Sequence, residues 1–557
     1  ARSWAAFGIL SKAIAATTRV AVRVAHHKPQ AAATMASMIR LASTTARRAL
    51  PSSARSMSAV PSATAEFDAM DFQTQLYING EFVDAKTGAK FPTVNPVTEE
   101  VITYVQEAGA EDVDAAVAAA RAALPAWKRV DAADKRDMLL KLADLLEEAA
   151  PELAKLESLD NGKPEHIARD VDIAQCVNNY RYFAGWADKI TGKTIPTTQG
   201  TADTFAFTTR EPVGVVGAVI PWNFPLLMQC WKLAPALAAG NTIVMKLSEK
   251  TPLSGMKFME LVEEAGFPAG VVNMLNGPGA TGEVLARHGD VDKIAFTGSS
   301  AVGHKIASAA SETNLKRVSL ELGGKSPLII HKDADLDQAL ISAHVGLFLN
   351  MGQCCVASSR IYVHEDVHDE FVEKIVALAS RLRSQGDLTS ETDVEILDLG
   401  PQVDKTQFDK IMSYIEAGKA EGAKCEIGGK RLGETGYYVA PTIFSNVTDD
   451  MTIAREEIFG PVMQLLKYSD LDDAIARAND TQYGLAAGVC TRDAGTAMYA
   501  AKELQAGTVW VNCYDNFDVA VPFGGYKESG WGRDKGEYAL DNYTETKAIM
   551  MPIDRKA

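Results

Sequence analysis

The regular alternation of short apolar runs and helical stretches between Val213 and Leu320 constrains the fold of this 557-residue chain more than any other feature. A strand-like run at 215–220 leads into a helical stretch to Ala239, then a run at 242–245, a helix over 253–264 and a run at 271–275. A helix at 280–288, a strand at 293–296, a helix at 300–310 and a strand at 318–320 complete the series. Alternating strands and helices of this length build a parallel sheet covered on both faces. Right-handed crossovers then give a doubly wound sheet whose ligand crevice lies at the carboxyl ends of its strands.

A second alternating region runs from Ser326 to about Gly530, with apolar runs at 328–330, 359–363 and 508–511, and reads as a second α/β domain. Ahead of both, residues 76–83 read as two strands about an Asn79-Gly80 turn, and 111–123, 133–159 and 171–189 as helices. Residues 194–211 are Thr-rich and strand-prone and fit neither domain. Together with 543–553 they are expected to form a small antiparallel sheet that pairs across subunits. The fold class is therefore α/β: a doubly wound parallel-sheet domain, a second α/β domain and an antiparallel oligomerisation sheet. The expected boundaries are 72–190 with 212–323, then 324–530, with 191–211 and 540–553 as the oligomerisation segment.

The formal charge of −16 hides an asymmetry, because residues 1–65 hold seven Arg, two Lys and no acid (+9), which leaves −25 for the rest. So acidic a body argues against nucleic acid as the main partner. No stretch approaches the ~20 apolar residues of a membrane span. Residues 1–57 are rich in Ala, Ser, Thr and Arg, the composition of a mitochondrial transit peptide, so the matrix is the expected location. The seven cysteines (176, 230, 354, 355, 425, 490, 513) are scattered, odd in number and without CxxC or His at zinc spacing. They read as reduced intracellular thiols, with no metal site expected.

Two segments carry chemistry. Asn350-Met351-Gly352-Gln353-Cys354-Cys355 offers a thiol, and Ser319-Leu320-Glu321-Leu322-Gly323-Gly324-Lys325 a carboxylate among apolar residues and glycines. A thiol, a general base and a dinucleotide-binding pattern together can oxidise an aldehyde: the thiolate adds to the carbonyl, hydride departs, and the base activates water against the thioester. Chemistry alone leaves Cys354 and Cys355 equal candidates, and a buried, inert thiol is the commoner fate of either. Glu321, by itself, also reads as an ordinary acid capping a turn. Pro221-Trp222-Asn223-Phe224-Pro225 follows the first strand directly, so Asn223 lies at the ligand-binding edge, where its amide can hold an oxyanion. After the second strand, Lys246 and Glu249 suit hydrogen bonds to the ribose hydroxyls of NAD, and the acid would repel a 2′-phosphate. Phe296-Thr297-Gly298-Ser299-Ser300-Ala301-Val302-Gly303 reads as strand, turn and helix start, able to meet a pyrophosphate though not a GxGxxG. Glu457-Ile458-Phe459-Gly460-Pro461 is a further acid in a turn.

In this order, the motifs resemble the NAD-dependent aldehyde dehydrogenase superfamily over about residues 75–553, nearest its broad-specificity tetrameric members. The resemblance makes Cys355, two residues after Gln353, the nucleophile and Cys354 its neighbour. It makes Glu321 the base and Asn223 the oxyanion donor. It implies NAD contacts from Ile220, Trp222, Lys246, Glu249, Gly298, Ser299, Gly303, Gln407, Glu457 and Phe459. An aldehyde pocket of Phe224, Met228, Trp231, Phe517 and Phe523 follows by the same analogy. With no Arg or Lys among those five and a bulky Trp231, small uncharged substrates such as acetaldehyde are expected. Glu321 argues against the acyl-CoA-forming branch. The departures are Met351 for Gln, Ser300 for Thr, and an acidic stretch at 386–399 that looks longer than usual. A homotetramer acting on a small aldehyde, with no nucleic acid or membrane partner, is the overall expectation.

Overall fold

The computed structural model describes residues 72–197, 204–384 and 398–553. The leader 1–57, the stretch 198–203 and residues 386–397 of the acidic stretch lie outside the described residues. Among those described, no helix is long and apolar enough to cross a membrane.

The first sheet has eight strands. Its parallel core runs, in space, Val272–Leu275, Thr242–Lys246, Val215–Val219, Lys293–Thr297, Arg317–Glu321. The first three strands in chain order (Val215–Val219, Thr242–Lys246, Val272–Leu275) are entirely buried, as strands covered on both faces are, the polar Thr242, Lys246 and Asn273 included. The chain leaves Val215–Val219 on one side and comes back on the other, so the order reverses between that strand and Lys293–Thr297. That reversal is the switch point at which such sheets bind ligands. The hairpin Leu76–Ile78 and Glu81–Val83 extends the sheet antiparallel beyond Val272–Leu275. Asn79 and Gly80 both take positive φ there (55° and 82°), the condition for a two-residue turn matched to strand twist. At the other edge Gly530–Trp531 pairs with Arg317–Glu321, so the end of the second region returns to the first sheet.

The expected helix at 133–159 is two helices, Ala132–Glu148 and Ala150–Asn161. Pro151 explains the break, since proline is tolerated in a helix's first turn and not inside one. The helix expected at 171–189 is preceded by a π-turn, Ala168–Ile173, before Ala174–Trp186.

The second sheet has seven strands, six of them parallel: Thr442–Ser445, Val462–Tyr468, Arg360–His364, Pro327–Ile330, Ala486–Cys490 and Thr508–Val511, with Lys424–Ile427 antiparallel at one edge. A third, antiparallel sheet joins Thr544–Pro552 to Thr204–Pro212 over nine residue pairs, with Thr194–Ile195 beyond. Ile195, Phe205, Met550 and Met551 stand exposed on it. The fold class is the expected one.

Candidate active site

At the switch point of the first sheet lies a cavity of about 690 Å³. Ile220 and Trp222 line it from the end of the first strand, Lys246 and Glu249 from the second, and Gly298 and Ser299 from the turn after Lys293–Thr297. Lys246 is buried, and its Nζ lies 3.1 Å from Glu249 Oε2. Desolvation lowers the proton affinity of that amine, and Glu249 partly restores it. The glycines have separate reasons. A Cβ on Gly298 would stand 2.5 Å from the Phe296 ring, and one on Gly303 2.6 Å from Leu322 Cδ2, where helix and strand pack closely. Gly303 therefore serves the packing of helix Ser300–Glu312 and does not line the cavity. The dimensions, the ammonium–carboxylate pair at the second strand and the helix start at the turn fit a dinucleotide.

Two proline residues bound the segment carrying Asn223. The ladder of the first strand ends with Ile220 N–H donating to Lys246 O at 3.2 Å, and Pro225 starts helix Pro225–Ala238. Asn223 is buried there. Its Nδ2 donates to the Gln353 carbonyl at 3.1 Å, two residues before Cys355. An acceptor at that position fixes which end of the amide faces it, because the reversed amide would set two oxygens together.

The segment before Cys355 is an unusual turn. Asn350, Met351 and Gly352 have φ of 50°, 58° and 73°, three consecutive left-handed residues. Such strain persists only where neighbours over-determine it, and here Asn350 Nδ2 donates to Asn223 O (2.8 Å) and to Gln353 O (3.2 Å). A Cβ at Gly352 would stand 2.2 Å from Gly460 O. Cys354 is buried, Cys355 half-buried. Hydrogen bonding to Cys354, burial, and the Cys354, Glu321 and Glu457 charges hold the Cys355 thiol well above the ordinary thiol range.

Glu321 ends its strand, buried, and among the described residues its carboxyl forms no hydrogen bond or ion pair, with Oε1 buried without a partner. Desolvation raises its proton affinity well above the usual carboxylate value; the Asp534 charge adds to this, while Lys232 and Arg533 oppose it. The glycines after it are spatially obligatory: a Cβ at Gly323 would lie 2.5 Å from Glu457 Oε2, and one at Gly324 2.4 Å from Cys355 O. Gly324 N–H donates to Glu457 Oε1 at 2.9 Å. Trp222 meets Phe459 edge to face at 5.3 Å, and Phe459 has a positive φ of 61°. Gln407 is buried and its amide donates to Phe459 O at 2.8 Å, so it braces this loop rather than facing the cavity.

Phe224, Met228 and Trp231 follow helical spacing at the start of Pro225–Ala238. Trp231 packs against Phe523 at 5.2 Å and Phe517 at 6.5 Å, and those two lie 5.5 Å apart.

Several residues that the sequence reading passed over also converge here. Asn161 Nδ2 donates to Trp222 O at 2.8 Å, and Lys163 Nζ to Asn223 O at 3.1 Å. Lys163, fully buried, also pairs with Glu157 (3.0 Å) and Asp172 (2.5 Å). Lys232 forms a buried ion pair with Asp534. It is the only charged residue in an otherwise apolar helix, which was a legible signal. Lys163 sits in Leu159-Asp160-Asn161-Gly162-Lys163, whose charge reads as a solvated helix end.

A profile described as the aldehyde dehydrogenase family matches residues 82–549. The mitochondrial aldehyde dehydrogenase of Rattus norvegicus is 52% identical over 527 residues, 93% of this chain and 100% of its own. The Homo sapiens mitochondrial aldehyde dehydrogenase is 54% identical over 489 residues, 87% of this chain and 93% of its own. An aldehyde dehydrogenase of Bacillus cereus solved as an NAD+ complex superposes with a TM-score of 0.84 at 48% identity, over 89% of this chain and 99% of its own.

Proposed function

The chain belongs to the aldehyde dehydrogenase family, and from that premise we propose that it oxidises short, chiefly apolar aldehydes to carboxylic acids, with NAD as cofactor and Cys355 as nucleophile. One hydrogen bond carries the reading. Asn223 Nδ2 to Gln353 O ties an amide at the ligand edge of the cofactor sheet to the turn that presents the thiol.

Cys355 Sγ, its proton released to solvent, adds to the carbonyl carbon, giving a thiohemiacetal oxyanion that accepts a hydrogen bond from the second Nδ2 hydrogen of Asn223. Losing one such donor costs about 3–4 kcal/mol of barrier. NAD, when bound, would supply the hydride acceptor for the oxidation. Lys246 and Glu249 would hold the adenosine ribose, Ile220 and Trp222 would flank the cofactor, and the turn at Gly298 and Ser299 would meet the pyrophosphate. Glu457, fixed by the Gly324 N–H, and Phe459 would hold the nicotinamide ribose, and Gln407 would act through Phe459. Glu321 then removes a proton from the water that attacks the thioester. Its raised proton affinity makes it a stronger base once ionised. Phe224, Met228, Trp231, Phe517 and Phe523 line the pocket for the aldehyde's apolar chain.

The cofactor domain is read as 72–190 with 212–323 and the catalytic domain as 324–530. The antiparallel sheet, with its exposed Phe205 and Met550, is read as an oligomerisation surface for a homotetramer. The relatives' mitochondrial names and the basic leader support a matrix location.

The test is NADH formation over a panel of aldehydes with NAD and NADP, for the wild type, Cys355→Ala and Cys354→Ala. Preference for NAD, best turnover on short apolar aldehydes and loss only in Cys355→Ala are expected. Oxidation that survives Cys355→Ala and disappears in Cys354→Ala would overturn the assignment.

A further inference from the structure

We propose that Lys535 is a specificity-determining residue that receives an anionic group, in the simplest case a carboxylate, at the far end of a short aldehyde. The proposal rests on the reading of Trp231, Phe517 and Phe523 as the aldehyde pocket. Lys535 is 2% exposed, and its Nζ stands 5.2 Å from the centroid of the Trp231 ring and 4.7 Å from that of Phe517. None of the five aromatic and apolar pocket positions carries a cation. The fold brings it in from a different segment.

The backbone holds this lysine firmly. Asp534 and Phe523 exchange two backbone hydrogen bonds of 2.7 Å, and Gly536 N–H donates to Val519 O at 2.8 Å. Between them Lys535 takes a left-handed φ of 61°. The side chain therefore springs from a segment pinned on both sides to the loop that carries Phe517 and Phe523.

What the ammonium lacks is an acceptor. Among the described residues Lys535 forms no hydrogen bond and no ion pair; the two rings are its only close partners. The two acids that face it are otherwise engaged: Asp534 pairs with Lys232, and Asp518 Oδ1 accepts from Ala520 N–H at 2.8 Å. An ammonium has three donors to satisfy, and ring faces compensate only part of the loss of water. Lys163 shows what this protein does with a buried ammonium that is purely structural. It too lies over a ring, 4.6 Å from Phe224, but it has two carboxylates as well. Burial lowers the proton affinity of Lys535 to about 8, so it is still mainly charged near neutrality. A buried cation facing the substrate rings without a counter-ion is a site for one delivered by the substrate.

The experiment compares kcat/KM for succinate semialdehyde and for butanal, which match in chain length and differ in charge. Lys535→Met is expected to lower the ratio of the two by about 10- to 100-fold, the range for one hydrogen bond to a charged group, and Lys535→Arg to retain most of it. In the wild type the same ratio should fall as pH rises through about 8, a measurement that needs no variant. A ratio that neither Lys535→Met nor pH moves overturns the proposal and leaves Lys535 as a ring anchor. If the wild type forms no NADH from succinate semialdehyde, butanal or any other aldehyde, the aldehyde-oxidation reading fails instead.

Discussion

Two buried groups of charge lie close to Asn223 and Cys355, and they are built on opposite lines. In one, Lys163, Glu157 and Asp172 are fully buried and matched, with the ammonium reaching both carboxylates and Asn223 O. Glu157 Oε2 also accepts from Leu226 N–H at 3.2 Å, at the start of the helix that carries Met228 and Trp231. In the other, Glu321 is buried with no partner for its carboxyl. Burying a charge is costly unless it is paired. An unpaired acid beside the thiol marks Glu321 as a candidate for chemistry, whereas the paired Lys163 is a fixed point of the scaffold. The difference separates residues that act from residues that place those that act, and it can be tested by removing one of each.

The largest effect is expected from Glu321→Gln. Steady-state turnover should fall about 10²- to 10⁴-fold, the usual share of a general base, while a first burst of NADH survives in stopped flow. Its melting temperature should hold or rise, since the variant buries a neutral amide in place of an unpaired acid. A variant that melts lower and still turns over would show that Glu321 belongs with the scaffold.

Lys163→Met should do the reverse. Two carboxylates left in the interior without their cation should cost about 3–5 kcal/mol in urea unfolding. The NADH burst should slow in the protein that remains folded, because Asn223 O loses a donor. Unchanged unfolding would break the comparison from the other side. Asn350→Ala is the milder case, removing donors to Asn223 O and Gln353 O and relaxing the left-handed turn. A loss of about 1–3 kcal/mol is expected, read as a slower burst with little change in KM.

The parallel sheets were legible because apolar runs and crossover helices dictate them locally, and the boundaries of the first sheet fall within a residue or two of those read from sequence. The placing of Asn223, Lys246, Glu249, Gly298 and Ser299 was legible for a related reason: Lys246 ends a strand of the first sheet and the others come within four residues after one, at the edge where topology sets the crevice. The second sheet follows the opposite rule. Cys355 and the loop of Glu457 and Phe459 precede their strands, Arg360–His364 and Val462–Tyr468, so strand order alone does not mark them and only motif resemblance did. Lys163, Asp534 and Lys535 were out of reach, because a charged residue in a sequence reads as solvated unless its burial is known. Gln407 braces the Phe459 loop and Gly303 lets helix and strand pack closely, roles that strand order does not mark.

The last effects are in pH dependence, and they carry the comparison into a measurement of protons. Glu321 keeps its proton in the folded chain above the pH, near 4.5, at which the unfolded chain gives it up. Over that window the native state binds more protons, so stability falls as pH rises, by no more than about 1.4 kcal/mol per pH unit. Asp172 behaves likewise for a different reason. Desolvation raises it to about 7, against the pull of Lys163 and with the push of Glu157, because one ammonium serves two acids. Relative to wild type, Glu321→Gln and Asp172→Asn should therefore both gain stability as pH rises, and the gain in Asp172→Asn should level off above about 7. The activity profiles should part company: the acid limb of steady-state turnover disappears in Glu321→Gln and persists in Asp172→Asn. Should Asp172→Asn abolish that limb, the paired cluster would be part of the proton path, and pairing would no longer distinguish scaffold from chemistry.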